Sequence, residues 1–365
     1  MHTKQKLWCL LLELLVLFGG GQTAVFATPP PTFHKQPIEQ LLNDFGYGAS
    51  TAHWGNNGIR QMNFNWVKIY DPPHRRKPNN MLWRIDVNGH DAADLDSFAA
   101  EFRRQIRRYD NFVEAYEIGN EVNLGQNGWE QPPNAASYAA LLCRAHAEIK
   151  LINPNAIVVS AGLAPVGRIE GNWNGQIGHN GQVQDEREFM QAFLAAGGGD
   201  CADVIGYHPI GFRADFDAEP DVNGGAPESN CDNGFCFRGA EKIYEILVAN
   251  GYGQKKIWAT EVGWLRTPPT DCLAHPSWVG RGWQTVSPLK QGQNLAGAFR
   301  YAREKWSWLG AMFVFNYDFA DATYYDSCEQ MRYYGIRNQP AEAFLTSVPF
   351  PVRAYLPLVH FREDS

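Results

Sequence analysis

The sequence predicts a parallel (β/α)8 barrel (a TIM barrel) that forms a single α/β domain. Eight short apolar runs are present along the chain, and most of them are followed by an amphipathic, helical run. Alternation of this kind favours a parallel sheet, and eight such units can close into a barrel. An open doubly wound sheet is the structural alternative, but the first turn, "GYGASTAHWG", lacks the G-x-G-x-x-G pattern of nucleotide-binding sheets.

The length and composition agree with this fold and exclude some partners. The chain has 365 residues, of which 44% are hydrophobic, so it can bury a large core. A barrel often uses such a length as one domain. The formal charge of −7 provides no basic surface for nucleic acid.

The N-terminus has the pattern of a secretory signal peptide over residues 1–27. Lys4 and Lys6 precede an apolar run, and small residues end at Ala27. A membrane anchor is the alternative, but the run is shorter than the roughly 20 residues of a span and contains Glu13. We therefore expect a secreted, monomeric protein that does not associate with membranes after cleavage. Three further segments are predicted: a proline-rich segment (28–40), the catalytic barrel (41–348) and an extended C-terminal tail (349–365).

The first four predicted strands lie at 45–51, 64–71, 81–87 and 113–121. The third is followed by a helix over 94–109, which starts with an acidic cap. Its apolar residues fall on one face at helical spacing: Leu95, Phe98, Phe102 and Ile106. The fourth precedes a helical run over 137–152.

The other four predicted strands lie at 156–163, 203–210, 256–264 and 311–319. Each is followed by a helical run, and Gly251 is a plausible end for the helix after the sixth strand. The segments after strands 5 to 8 are long and rich in Gly, Asn, Pro and Trp. Because barrel enzymes build their sites from the loops at this end, we expect the site there.

Two acidic residues are predicted at strand ends that face each other across the barrel mouth. Glu121 ends strand 4 in "EAYEIGNEVN", and Glu261 ends strand 7 in "KIWATEVGW". Two opposed carboxyl groups can cleave a glycosidic bond, one by protonating the departing oxygen and the other by acting at the anomeric carbon. We expect these groups about 5 Å apart, with Glu121 protonated and Glu261 ionised.

Strand alternation predicts which neighbours share the mouth. Glu117 is expected to face inward with Glu121, and Ala259 with Glu261. Lys68 and Arg84, on strands 2 and 3, are also expected to point inward, where one of them pairs with Glu117 and their charges keep a carboxylate ionised.

The two motifs "YEIGNEVN" and "IWATEVGW" resemble the catalytic strands of retaining glycoside hydrolases of clan A, which include cellulases, mannanases and β-xylosidases. The resemblance covers approximately residues 41–348. It implies that Glu121 is the acid/base, that Glu261 is the nucleophile, and that Asn120 binds the sugar 2-hydroxyl. It also implies a site pair on strand 6, Tyr207 and His208.

Two positions depart from the family pattern. Strand 2 carries Lys68, which we predict as a substrate-binding residue, where the family usually has arginine. Lysine cannot hold a carboxylate bidentately. Strand 8 carries Phe315 where a tryptophan is expected, which retains an aromatic face without the indole N–H. Trp264 and Trp129 lie within ten residues of a proposed catalytic glutamate and are candidates for stacking on sugar.

Several functions remain open at this stage. An exo-acting β-glycosidase and a carbohydrate-binding barrel without turnover both fit the same scaffold. A metal-dependent hydrolase is disfavoured because the histidines form neither H-x-H nor H-E-x-x-H spacing. We expect a poly- or oligosaccharide substrate and neither a metal nor another cofactor.

Six cysteines remain after the signal peptide, and export favours disulfides. We predict the pairs Cys231–Cys236 and Cys272–Cys328, and leave Cys143 and Cys201 as buried thiols. The second bridge would hold Trp278 and Trp283 at the cleft rim as candidate sugar platforms.

Overall fold

Eight parallel strands form a closed barrel, as the sequence predicts. In chain order they are β1 (Gly46–Ser50), β2 (Trp66–Ile69), β3 (Asn80–Ile85), β4 (Ala115–Ile118), β5 (Ile157–Ser160), β6 (Val204–Tyr207), β7 (Lys256–Val262) and β8 (Leu309–Val314). Each strand pairs with its neighbours in the chain, and β8 closes the barrel against β1 with Ala49 opposite Val314.

The computed structural model describes residues 37–53, 58–125, 129–220 and 230–349. All of them belong to one unit, Gln36–Ser365. The predicted signal peptide, the proline-rich segment up to residue 36, and residues 350–365 of the predicted tail lie outside the described residues.

Helices follow most of the strands. They are α1 (Ile38–Asn43), α2 (Gly58–Gln61), α3 (Gly89–Ala93), α4 (Leu95–Tyr109), α5 (Ala135–Ile152), α6 (Glu186–Ala195), α7 (Ala240–Ala249), α8 (Pro288–Lys305) and α9 (Pro340–Thr346). Side chains cap several of them at the N-terminus, as when Asn134 accepts hydrogen bonds from the first turn of α5. The large core lies between these helices and the outward faces of the strands.

A second, smaller core fills the barrel interior. Trp66 and Trp258 meet edge to face with ring centroids 4.9 Å apart, and Phe313 packs against both. Gly48 on β1 makes room for these rings, because a Cβ atom there would lie 2.5 Å from the Phe313 ring. Leu41 of α1 packs against the same cluster, so the helix that precedes the first strand contributes to the interior core.

Three disulfides join the six cysteines of the described residues. The predicted pairs Cys231–Cys236 and Cys272–Cys328 are confirmed. The expectation of free thiols at the other two is wrong: Cys143 on α5 is bonded to Cys201, with Cα atoms 4.7 Å apart. The bond links α5 to the turn before β6. It joins residues that are 58 positions apart in the chain.

Within the described residues, no helix combines the length and the apolar character needed to cross a bilayer.

Replacing Gly48 with alanine should destabilise the barrel by about 1–3 kcal/mol, because the interior is already full and the new methyl group would force Phe313 to move. Urea unfolding followed by circular dichroism measures the change. Gly282→Ala is the control, since no heavy atom lies within 4 Å of a Cβ built there. Equal unfolding midpoints for the two variants would contradict the argument.

Candidate active site

A cavity of about 1070 Å³ opens at the carboxyl ends of the barrel strands. It is lined by residues that lie near the ends of seven of the eight strands, β2 to β8, or in the loops that follow them. Both Glu121 and Glu261 contribute to its surface. One carboxylate oxygen of Glu121 and one of Glu261 lie within 4.8 Å of each other. The structure therefore brings together the two acidic residues that the sequence places 140 positions apart.

Glu121 reaches the cavity by a backbone turn that follows the strand. Strand β4 ends at Ile118, and Glu121 itself has a left-handed φ of 47°. Its backbone N–H donates to the carbonyl of Gly162 at 2.9 Å, which ties this turn to the chain after β5. Such a conformation is uncommon for a residue other than glycine and is often found at functional sites.

Glu261 reaches the cavity through an irregularity in β7. The pairing of β7 with β8 shifts register between Ala259 and Val262. Ala259 packs in the outer core, so the prediction that it shares a face with Glu261 is wrong. The extra residue of a bulge turns the following side chain to the other face, which simple alternation does not predict.

A fully buried lysine neutralises two of the carboxylates. The Nζ atom of Lys68 lies 2.7 Å from Glu117 and 3.2 Å from Glu261. The predicted pairing of Glu117 inside the barrel is thus confirmed. Burial by itself raises the pKa of Glu117, but Lys68 and His208 outweigh it and lower this pKa to about 2.

Arg84 on β3 provides the guanidinium that strand 2 lacks. It lies 3.6 Å from Glu261 and donates to the Asn120 side-chain oxygen at 3.1 Å. Its guanidinium carbon is 4.4 Å from the centroid of the Tyr70 ring. Because the oxygen of Asn120 accepts from Arg84, its amide N–H groups are oriented as donors for a ligand in the cavity.

The buried His208 contacts three carboxylates. Its Nδ1 atom is 3.1 Å from Glu121 and 3.7 Å from Glu261, and its Nε2 atom is 3.9 Å from Glu117. Burial lowers the pKa of His208, but these three carboxylates outweigh it and raise the pKa to about 9. The imidazole is therefore protonated at neutral pH.

The pKa of Glu121 disagrees with the expectation that this carboxyl group is protonated. Burial raises the pKa of Glu121, but His208, Arg84 and Lys68 together lower it below its ordinary value. We expected the like charge of Glu261 to keep Glu121 protonated. That expectation did not include the His208 imidazole, which lowers the pKa of Glu121. The Nδ1 atom of His208 lies 3.1 Å from a Glu121 oxygen, within reach for proton transfer between the two groups.

The spacing of Glu121, His208 and Glu261 would also allow metal coordination. However, Glu261 already contacts Lys68 and Arg84, and His208 is held protonated. A metal ion would need a neutral imidazole and would meet two cations nearby. The positive charges beside this cluster therefore disfavour a metal centre.

Several predicted substrate-binding residues lie elsewhere. Lys68 and His208 are fully buried, so they hold the carboxylates and do not line the cavity. Tyr207 points into the outer core, because alternation places it opposite to His208. Trp264 is also fully buried, and Trp129 packs edge to face on Tyr138, so neither indole can stack on a sugar in the cavity.

Asn120 and Phe315 do line the cavity, as predicted. So do aromatic residues that the sequence analysis missed, among them Tyr70 and Tyr334. Tyr70 could have been predicted from the sequence, because it directly follows β2 at the end of the barrel where the site lies. Tyr334 comes from a turn after β8 that no pattern in the sequence connects with the site.

The Cys272–Cys328 bridge joins the loops after β7 and β8 with Cα atoms 5.0 Å apart. Trp278 is almost fully buried, and its indole N–H donates to the Cys328 carbonyl at 2.7 Å. It is therefore a packing residue and not a sugar platform. Trp283 on the same loop is 45% exposed and lines the cavity.

Comparison with known proteins finds similarity in structure alone. No family model matches the chain, and no curated protein matches it in sequence. Among solved structures, a family 39 glycoside hydrolase from Bacteroides cellulosilyticus WH2 shares 15% identity at a TM-score of 0.53, over 85% of this chain and 64% of that one. This chain therefore spans less than two thirds of that enzyme.

Two further similar structures are a glucosidase and a glucanase. The glucosidase from Croceicoccus marinus gives a TM-score of 0.56 at 13% identity, over 83% of this chain and 67% of that one. A GH128 (subgroup II) endo-β-1,3-glucanase from Sorangium cellulosum gives 0.51 at 15% identity, over 83% and 98%. At such low identity, these similarities show the shared barrel fold.

Replacing Lys68 with methionine should destabilise the protein by about 3–5 kcal/mol, because it leaves Glu117 and Glu261 buried without their cation. Adding Glu117→Gln to this variant should recover part of the loss, and a double-mutant cycle on denaturant midpoints measures the coupling. Lys242→Met is the matched control: its exposed pair with Glu245 should contribute at most about 1 kcal/mol. A loss for Lys68→Met no larger than the control would contradict the buried-charge argument.

Proposed function

We propose that this protein is a retaining glycoside hydrolase that cleaves β-linked glycans by double displacement. The observation that carries the proposal is the approach of the Glu121 and Glu261 carboxylates to within 4.8 Å. Retaining enzymes place the two carboxyl groups about 5–5.5 Å apart, whereas inverting enzymes need about 6.5–9.5 Å to admit a water. The glycosidase descriptions of the structurally similar proteins support the same reaction class.

In the first step, an oxygen of Glu261 forms a bond to the anomeric carbon while the bond from that carbon to the leaving oxygen breaks. Lys68 and Arg84, 3.2 Å and 3.6 Å away, hold the Glu261 carboxylate in place for this attack. Glu121 transfers a proton to the leaving oxygen, so the leaving group departs as a neutral alcohol. The product of this step is a glycosyl ester on Glu261.

In the second step, Glu121 is a carboxylate and takes a proton from a water molecule. The water oxygen bonds to the anomeric carbon, the ester bond to Glu261 breaks, and the carboxylate is restored. Asn120 lines the cavity beside Glu121, and its amide N–H groups are available to bind the sugar 2-hydroxyl through both steps.

His208 supplies the proton that Glu121 delivers. In the free protein the proton lies on the imidazole, 3.1 Å from the Glu121 oxygen. Substrate displaces water from the cavity, which disfavours the charged carboxylate and favours transfer of the proton to Glu121. The resting arrangement therefore stores the proton next to the atom that uses it.

A non-hydrolytic carbohydrate-binding barrel is less consistent with these contacts. Binding alone does not require two opposed acids, a buried lysine and a buried imidazolium in one cluster, since each buried charge costs free energy to desolvate. An exo-acting β-glycosidase would use the same catalytic pair and differs in how much of a glycan the cavity accepts.

We further propose that the protein is secreted. The sequence of residues 1–27 has the pattern of a signal peptide. Three disulfides in the described part of the chain are compatible with an oxidising compartment. Expression with the complete N-terminus and sequencing of the exported form would test cleavage after Ala27.

Replacing Glu261 with alanine should abolish nearly all turnover of an aryl β-glycoside, because it removes the carboxylate that forms the ester. Proton NMR of the wild-type reaction should show the β-anomer as the first product. A panel of β-1,3-glucan, other β-glucans, mannan, xylan and aryl glycosides identifies the substrate.

Glu245→Ala on α7 is the control for the removal of a glutamate, since this side chain is 63% exposed and does not line the cavity. Wild-type rates in Glu261→Ala would refute its role as nucleophile. The α-anomer as first product would instead indicate inversion.

Replacing His208 with asparagine should move the alkaline limb of the kcat/KM profile to lower pH by about one unit or more. In the wild type, the shared proton is lost near pH 9, the pKa of His208. Without the imidazole, the proton must reside on the carboxyl of Glu121, which releases it at lower pH. Kinetics with an aryl glycoside between pH 4 and about 10 would measure both limbs, and an unchanged limb would contradict proton storage on His208.

A further inference from the structure

The cavity carries two groups of aromatic side chains that the chemistry at Glu121 and Glu261 does not use. We call the first the Trp283 wall; its members follow β6 and β7 and are Phe212, Phe235 and Trp283. We call the second the Tyr324 wall; its members follow β8 and are Phe319, Tyr324 and Tyr325. Both walls line the same cavity as the catalytic pair.

The Trp283 wall is a supported, solvent-facing indole. The rings of Trp283 and Phe212 are nearly parallel, with an interplanar angle of 7° and centroids 5.5 Å apart. Phe235 packs against both rings, with centroids 4.7 Å from Phe212 and 5.2 Å from Trp283. Because Trp283 is nevertheless 45% exposed, part of the indole is available to a ligand.

The backbone that presents Phe212 is strained and braced from beneath. Phe212 has a φ of 50°, a conformation that costs free energy for a bulky residue. The indole N–H of Trp264 donates to the Ala214 carbonyl at 2.7 Å, and the Gly211 N–H donates to the Gly263 carbonyl at 2.9 Å. Gly211 passes so close that a Cβ there would lie 1.9 Å from the Trp264 ring. Trp264 is therefore a positioning residue for the Trp283 wall.

The Tyr324 wall has the same construction on a different loop. Tyr324 is 68% exposed and contacts Tyr325 at a centroid distance of 4.7 Å. Tyr325 in turn stacks on the buried Phe319 at 5.5 Å. The loop that carries these rings ends at Cys328, which the disulfide to Cys272 joins to the loop of Trp283.

Exposed aromatic side chains that group together often mark a ligand-binding site, and Trp283 and Tyr324 line one cavity with the two catalytic acids. The C–H face of a pyranose is apolar and matches an aromatic face. An enzyme that removes one terminal sugar needs a binding surface mainly for that sugar. Two walls on separate loops instead provide a binding surface for more than one sugar.

We propose that the substrate is an extended glycan chain that contacts both aromatic walls at once, so that the bond at Glu121 and Glu261 is cleaved within the chain. This inference rests on the proposed glycosidase function. It adds that the enzyme is endo-acting and that Trp283 and Tyr324 determine its preference for long chains.

The test compares Trp283→Ala and Tyr324→Ala on a polymer and on an aryl β-glycoside. Each variant should lose about tenfold in kcat/KM on the best polymer of the panel, with a much smaller loss on the aryl substrate. Trp173→Ala is the matched control, because this indole is also exposed, at 47%, but does not line the cavity. The first products from the polymer should be oligosaccharides.

Release of only monosaccharide from the polymer, or equal losses on both substrates, would overturn the endo inference and leave the catalytic pair intact. Loss of aryl turnover in Glu261→Ala, by contrast, tests the proposed function alone.

A binding experiment does not depend on turnover. Calorimetry with Glu261→Gln and oligosaccharides of increasing length should show affinity that rises beyond the disaccharide, and Trp283→Ala in this background should remove that gain. Affinity that does not rise with length, or no binding at all, would overturn the inference.

Discussion

The buried contact between Lys68 and its two carboxylates is the interaction on which the site depends. A fully buried ammonium is costly, and here it is compensated by Glu117 at 2.7 Å and Glu261 at 3.2 Å. These groups come from β2, β4 and β7, so they meet only in the closed barrel. The same contact that balances charge in the interior also holds the Glu261 side chain in place.

The other charged side chains around this contact differ in their exposure to solvent. Glu117 is completely buried and serves the interior, whereas the Glu121 side chain is 24% exposed and faces the cavity. His208 lies between them, with Nδ1 3.1 Å from Glu121 and Nε2 3.9 Å from Glu117. Two glutamates of one strand and its following turn therefore differ in their access to solvent.

The loops at the mouth combine rigidity with open binding surface. The Cys272–Cys328 bridge and the hydrogen bond from Trp278 restrain the loops after β7 and β8. Trp264 braces the strained backbone at Phe212 from inside the fold. Buried tryptophans thus hold the loops, and exposed rings such as Trp283 face the cavity. A pre-organised aromatic surface reduces the entropy lost on binding.

The sequence by itself determined the eight alternating strand and helix units, because the spacing of apolar residues and the order of elements are local properties of the chain. The barrel and the placement of the two acids at strand ends follow from these units. Alternation also predicted that Lys68 and Arg84 point inward. It did not predict the turn at Glu121 or the bulge before Glu261, since these depend on pairing between strands. Tertiary structure alone decided the Cys143–Cys201 bond, the burial of Trp264 and the proton on His208. Each of these depends on distances between residues far apart in the chain, which only the closed barrel sets.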